Sequence, residues 1–159
     1  MREKNIDEQN IPWASFFCVA LGVYMATLDG SIVAVALPSI RADFGARLGL
    51  IQWVLSIYML VITGLLLAAG RVAHIVGQKG VFLGGLSVFT AGSLLCAAAP
   101  TAVTLIVARG IQGIGGAMLM AAAPAIVTAT FPPSHRGRGL GLTGTVVGLG
   151  LTTGPPLGG

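Results

Sequence analysis

The sequence is short of charge. Asp, Glu, Lys and Arg make up 9% of its 159 residues, and five residues in all are acidic. A soluble domain carries about 25% charged residues, so this chain has too little to cover a water-facing surface, and a soluble helical core is not the expected reading. Cysteine is nearly absent. Cys18 and Cys96 both fall inside apolar runs, where a thiol behaves as a small hydrophobe and carries no information about redox compartment. Histidine is as scarce: His74 and His135 stand alone on separate polar breaks, so no metal site is expected. No Ser, His and Asp arrangement is evident. Gly113-Ile114-Gly115-Gly116 is followed by no phosphate-loop lysine and preceded by no strand, so it is not a nucleotide-binding turn. These absences speak against an enzyme.

The charge that exists is mostly positive, with a net charge of +4 and a pI near 9.7. The nine Lys and Arg residues are scattered singly or in pairs between apolar runs. They form no basic face, so nucleic acid is not the expected partner. They flank membrane spans instead.

What the chain has in abundance is apolar length and glycine: 55% hydrophobic residues and 24 glycines, with a mean hydropathy of +0.90. A polar tail over residues 1–11 precedes five apolar segments, at about 12–37, 50–70, 81–99, 102–123 and 138–159. The fourth has a possible extension to Thr130. A crossing of the hydrocarbon core takes about 20 residues, so each segment reads as a transmembrane helix. The first is no signal peptide, because the run is too long and Asp29 interrupts it. The expected fold is therefore all-α and polytopic, with the lipid bilayer as its solvent.

Orientation follows from the breaks. Arg2, Lys4, Arg71, Lys79, Arg136 and Arg138 fall on one side of the membrane, and Arg41 and Arg47 on the other. That asymmetry places the N-terminus in the cytoplasm. Trp13 and Trp53 lie near span ends, where amphipathic rings favour the interface.

Two charges lie inside spans, Asp29 and Arg109. Each costs at least about 2.5–3.5 kcal/mol there, so each must face a cavity or a partner. Counted from Pro38 and from Thr101, both sit about 12–14 Å below the outer surface. Matched depth and opposite sign predict that they meet. Two readings stand side by side: a coupling or substrate site, and a structural ion pair. Gln112 follows Arg109 by three residues and shares its helix face, either toward the same cavity or toward a helix–helix hydrogen bond. Residues 70–79 form a charged loop in which Gly77 permits a tight turn and Arg71 complements a helix C-terminus. The last segment carries Gly141, Gly144, Gly148, Gly150, Gly154-Pro155-Pro156 and Gly158-Gly159. Small residues at this spacing make a smooth face for a neighbouring helix, and Gly154 with Pro155 is expected to kink its outer half.

These motifs together resemble the major facilitator superfamily, and most closely its fourteen-helix drug:proton antiporter branch. The resemblance covers nearly the whole chain. Leu28-Asp29-Gly30-Ser31-Ile32-Val33-Ala34-Val35-Ala36-Leu37-Pro38 is similar to that branch's helix 1 motif, and Gln52-Trp53-Val54 with Tyr58 to its helix 2 opening. Gly70, Arg71, His74, Gly77 and Lys79 fall in a segment resembling the cytoplasmic loop motif between helices 2 and 3. Leu105, Arg109, Gln112, Gly113 and Gly115 resemble the helix 4 motif with its central Arg. Gly150, Gly154, Pro155, Gly158 and Gly159 resemble the helix 5 motif that marks exporters. The departures are His74 where the family has an acid, Ile75 where it has a base, and Ser31 and Ala34 in place of Thr and Asn.

The resemblance implies a proton-coupled exporter of small amphipathic or cationic compounds, a multi-pass protein of the plasma or inner membrane. Asp29 would be the proton-titrating or cation-attracting carboxylate, Arg109 its electrostatic partner and Gln112 a polar cavity residue. The proton gradient drives such a cycle with no cofactor. The family builds two six-helix bundles around a central site. Five helices are thus a partial N-terminal bundle, with the C-terminal bundle as a missing partner, and the chain is expected to be a fragment or truncated product that does not transport alone. The alternatives are a non-transporting remnant or helix-pairing membrane module, and a metabolite exporter of the same fold.

In the family the loop acid helps latch the cytoplasmic side shut, and a neutral imidazole supplies no fixed charge. His74→Asp in the full-length protein should therefore strengthen closure. Labelling of a single cysteine introduced on the cytoplasmic side should slow; unchanged or faster labelling removes the latch argument.

Overall fold

The computed structural model describes residues 13–158. The polar tail, with Arg2 and Lys4, and the final Gly159 lie outside the described residues. Six helices follow one another: α1 (Trp13–Phe44), α2 (Leu48–Ile51), α3 (Trp53–Val76), α4 (Gln78–Ala97), α5 (Ala102–Thr130) and α6 (Arg136–Gly158). The helix α2 is a single turn leading into α3. Four stretches are long and apolar enough to cross a membrane: α1, α2 with α3, α4, and α5. The fifth expected span, α6, has the length but falls short in apolarity, because glycines, threonines and two prolines dilute its aliphatic residues.

The helices outrun the apolar segments that announced them, and prolines account for two of the differences. The first helix was expected to stop at Leu37, before Pro38, yet α1 carries Pro38 within it and continues to Phe44. It ends at Gly45, whose φ of 56° lies in the left-handed region. There the Ala46 N–H donates to the Arg41 carbonyl and the Gly45 N–H to the Ala42 carbonyl, both at 3.2 Å, the paired closing bonds of a glycine C-cap. Likewise α5 does not stop at Ala123 but runs through Pro124 to Thr130. A proline deletes one backbone bond, a loss that membrane helices absorb when neighbours cover the freed carbonyl. Pro155 and Pro156 do not break α6 either, which stays helical to Gly158 with both prolines on its exposed face.

The expected loop at 70–79 is a correction of a different kind. The polar residues Arg71 and His74 belong to the last turns of α3, and Gln78 already opens α4. One residue, Gly77, turns the chain, at φ 105°. Arg71 therefore sits ahead of the final turn, and the basic side chain at the helix C-terminus is His74. At the other end of the hairpin, Thr101 caps α5. Its hydroxyl accepts from the Thr104 N–H at 3.2 Å, and the Thr104 hydroxyl accepts from the Thr101 N–H at 3.1 Å.

The hub is α5, packed between α3 and α4 and touching α1, while α6 lies along α1. Half of the most apolar stretch of α5 is buried, against 17% for α2 with α3. Glycine makes this possible by close approach. A methyl group built on Gly115 would overlap the backbone of Phe89 and stand 2.7 Å from the Gly85 carbonyl oxygen. One on Gly92 would lie 2.7 Å from Gln112 Cα. Backbone thus meets backbone at the α4–α5 crossing, the small-residue packing that lipid-embedded helices use in place of a hydrophobic drive.

Two apolar clusters fill the bundle. One holds Phe16 to Ala26 of α1, Phe82 and Phe89 of α4, Leu119 to Val127 of α5 and Phe131. The other gathers Ile51, Val54, Ala102 and Leu105, with Val33, Leu37 and Phe44 of α1 against them. Residues 29, 93, 109 and 112 fall in the gap between the clusters on their respective helices.

Overpacking the crossing should be costly. Gly115→Val is expected to destabilise the folded chain by about 1–3 kcal/mol, read as a lowered unfolding midpoint in detergent. Gly141→Ala, where an added methyl meets nothing within 4 Å, should stay within about 0.5 kcal/mol of the parent.

Candidate proton and substrate site

The gap between the clusters is polar. Asp29 stands midway along α1 and reaches across to α5, where Arg109 Nη1 donates to Asp29 Oδ2 at 2.5 Å. Arg109 is 1% exposed and the Asp29 side chain 23%, so the cation is sealed in and the carboxylate keeps an opening. Gln112, one turn along α5 and fully buried, links both. Its Oε1 accepts from Arg109 Nη1 at 2.7 Å, and its Nε2 donates to Asp29 Oδ1 at 2.9 Å. The two charges meet although Pro38 is not the helix end from which the depth of Asp29 was counted. What matters is that each lies in the middle of its helix, between the same two clusters.

Sequence reasoning did not find the rest of the network. Ser93 of α4 accepts a second hydrogen bond from Gln112 Nε2 at 2.8 Å. Cys96 directs its thiol at Gln112 Oε1 at 3.6 Å. Arg109 Nε donates to the Val54 carbonyl at 3.3 Å, and the guanidinium carbon lies 4.2 Å from the centre of the Tyr58 ring. Arg109 Nη2 is the one buried side-chain nitrogen or oxygen without a partner among the described residues. Ser87 and Thr90 return their hydroxyls to their own helix, at Leu83 and Leu86, whereas Ser93, the neighbour of Gly92 at the close approach of the two helices, meets Gln112 of α5.

The other predicted positions divide. Gly150, Gly154 and Gly158 all face α1: methyl groups built there would overlap the Thr27 and Ser31 side chains and crowd the Ile32 backbone. Two bonds tie the seam, from Ser31 Oγ to the Gly150 carbonyl and between the Tyr24 and Thr153 hydroxyls, both 2.9 Å. The exporter-type glycines therefore lie against the stretch of α1 that carries Asp29. Pro155 points outward from this seam, and Gly159 lies outside the described residues. Gly70, Arg71, His74, Gly77 and Lys79 gather at the α3–α4 turn, apart from the polar layer. Four of them are exposed and Gly70 is half-buried.

A bundle of long apolar helices enclosing one ion pair, with the carboxylate partly open, defines a polytopic membrane protein with a polar site in its interior. The model of the Major Facilitator Superfamily matches residues 17–159, and the chain belongs to that family. It is 42% identical to the riboflavin transporter RibZ of Clostridioides difficile, over 92% of this chain and 32% of that protein. It is 37% identical to the multidrug resistance protein Stp of Mycobacterium tuberculosis, over 91% of this chain and 27% of that one. With the cephamycin export protein CmcT of Amycolatopsis lactamdurans it shares 42% identity, over 86% and 28%. The relatives are thus largely of the drug-efflux branch, and the chain spans about a quarter to a third of their length.

Because Arg109 is sealed in, removing it should cost more than removing a surface charge. Arg109→Ala leaves Asp29 with Gln112 alone and should lower stability by about 3–5 kcal/mol, measured by equilibrium unfolding in micelles. Asp29→Asn combined with Arg109→Gln, a neutral pair, should recover most of that loss.

Proposed function

We propose that this chain is the N-terminal part of a proton-coupled exporter of small amphipathic or cationic compounds. In the complete protein it works against a C-terminal bundle, across the cell membrane, with its N-terminus in the cytoplasm. The observation that carries the reading is the asymmetry of the ion pair. Arg109 is held by groups of α1, α3 and its own α5 and does not reach the surface, whereas Asp29 does. A buried fixed cation beside a reachable carboxylate suits a proton site. A cationic substrate entering near Asp29 would compete with the proton for the same carboxylate. The names of the multidrug resistance and antibiotic export relatives support the substrate class, and the antiporter motif on α6 supports the direction. The gradient itself is the energy source, and no cofactor enters the scheme.

A second reading has its own support. Identity to a riboflavin transporter over nearly the whole chain favours a metabolite as cargo on the same scaffold. The residues of this chain serve both readings, since the opposing half of a central cavity comes from the other bundle.

The test is transport in inverted vesicles by the protein extended with its downstream sequence, beside the 159-residue chain. The extended protein should accumulate lipophilic cations under an imposed proton gradient and the short chain should not. Asp29→Asn should abolish gradient dependence, and Arg109→Ala should stop exchange. Gradient-driven uptake that survives Asp29→Asn would remove the assignment.

A further inference from the structure

The side chain that joins the two charged helices belongs to neither. Tyr58 of α3 is 1% exposed and lies in a slot walled by glycines of both. A methyl built on Gly30 of α1 would meet its ring at 3.8 Å, one on Gly113 of α5 would stand 3.1 Å from its carbonyl oxygen, and one on Gly116 would stand 3.2 Å from its hydroxyl. The hydroxyl donates to the Ala26 carbonyl at 3.0 Å, one turn of α1 before Asp29. The ring face lies under the Arg109 guanidinium, 4.2 Å from its carbon. One rigid side chain therefore holds the backbone of the helix bearing the carboxylate and, with its ring, the cation that faces that carboxylate.

The guanidinium has few other restraints on that side. Its edge is held by Asp29, Gln112 and the Val54 carbonyl, while Nη2 has no acceptor among the described residues. A planar cation with one edge free can pivot about its bonded edge unless a surface supports its face. An aromatic ring supplies that surface and an attraction to it, because the negative face of its π system favours a cation most where water is excluded.

We propose that Tyr58 is a positioning residue for the proton site: its ring fixes the plane and distance of Arg109 against Asp29, and its hydroxyl fixes the α1 turn on which Asp29 stands. This rests on reading Asp29 as the proton-carrying carboxylate. The titratable and charged groups around Asp29 are Arg109 from α5, Tyr58 from α3 and, through Gln112, the Cys96 thiol from α4. Contacts of α6 with this part of α1 come from glycines and Thr153, none of them charged. Removing Tyr58 thus changes the surroundings of the pair without deleting either charge or the Gln112 bonds that link them.

The experiment measures the pH profile of exchange by the full-length transporter in proteoliposomes, for Tyr58→Phe, Tyr58→Leu and Tyr58→Met, with Asp29→Asn alongside. Loss of the ring frees Arg109, and the midpoint of the profile should move by about one unit, a tenfold change in proton affinity. Either non-aromatic variant that folds suffices. Tyr58→Phe keeps the ring and should restore at least half of that displacement. A midpoint within about 0.3 units of the parent in Tyr58→Leu or Tyr58→Met, whatever the drop in rate or yield, makes Tyr58 a space-filler and overturns the proposal. So does a Tyr58→Phe profile as displaced as that of Tyr58→Leu. If Asp29→Asn keeps the parental profile, the proton-site reading falls, and that outcome is separate from the other two.

Discussion

An arginine with no route to water governs this structure. Arg109 sits on the most buried helix, 1% exposed, in a chain whose surroundings are lipid. Its desolvation is tolerable only if anion, amide and carbonyl acceptors converge on it. Three helices packed on the hub contribute to that convergence: α1 a carboxylate, α3 a carbonyl and a ring face, α4 a hydroxyl that anchors the glutamine. A polar layer of this kind specifies register as well as charge. Sliding any of these helices along its axis would replace a hydrogen-bond partner with an aliphatic side chain from the neighbouring apolar cluster.

Glycine is the second condition, and it follows from the first. The acceptors are short side chains and backbone oxygens, which reach the guanidinium only if the helices nearly touch. Gly92 brings α4 onto Gln112, and Gly113 brings α3 onto α5. The family match and these glycines are two views of one constraint, because a motif spaced around a central arginine and glutamine is the pattern that close packing about a buried cation requires.

How much of this was legible depended on whether the signal was a scarcity or a relation. Asp29 and Arg109 could be read because charges are rare inside apolar runs. Their meeting followed from the cost of leaving either alone. Gly150, Gly154 and Gly158 could be read as a contact face from their spacing. Helix ends were read poorly. Pro38 and Pro124 stop helices in water but not here, and Arg71 and His74 looked like a loop because polarity at a helix end in the headgroup region resembles polarity in a turn. Ser93 and Tyr58 were beyond reach as site members. A serine and a tyrosine in an apolar run are ordinary, and only their partners on other helices, far away in sequence, show that they are turned toward the polar layer.

The seam between α1 and α6 has a further geometrical property. Gly150 lies on Thr27 and Gly154 on Ser31, so both helices run the same way and both repeat every four residues. A displacement of α6 by one helical turn, about 5.4 Å, would set Gly154 on Thr27 or Gly150 on Ser31, again a glycine over a hydroxyl. The interface is commensurate with its own repeat: it has more than one seating of the same chemical kind. The contacts of α1, α3 and α4 with α5 lack that property, since there the arginine, the glutamine and their acceptors set the alignment. A one-turn slip of α6 would leave the arginine and its acceptors in place, because none of them bonds to that helix.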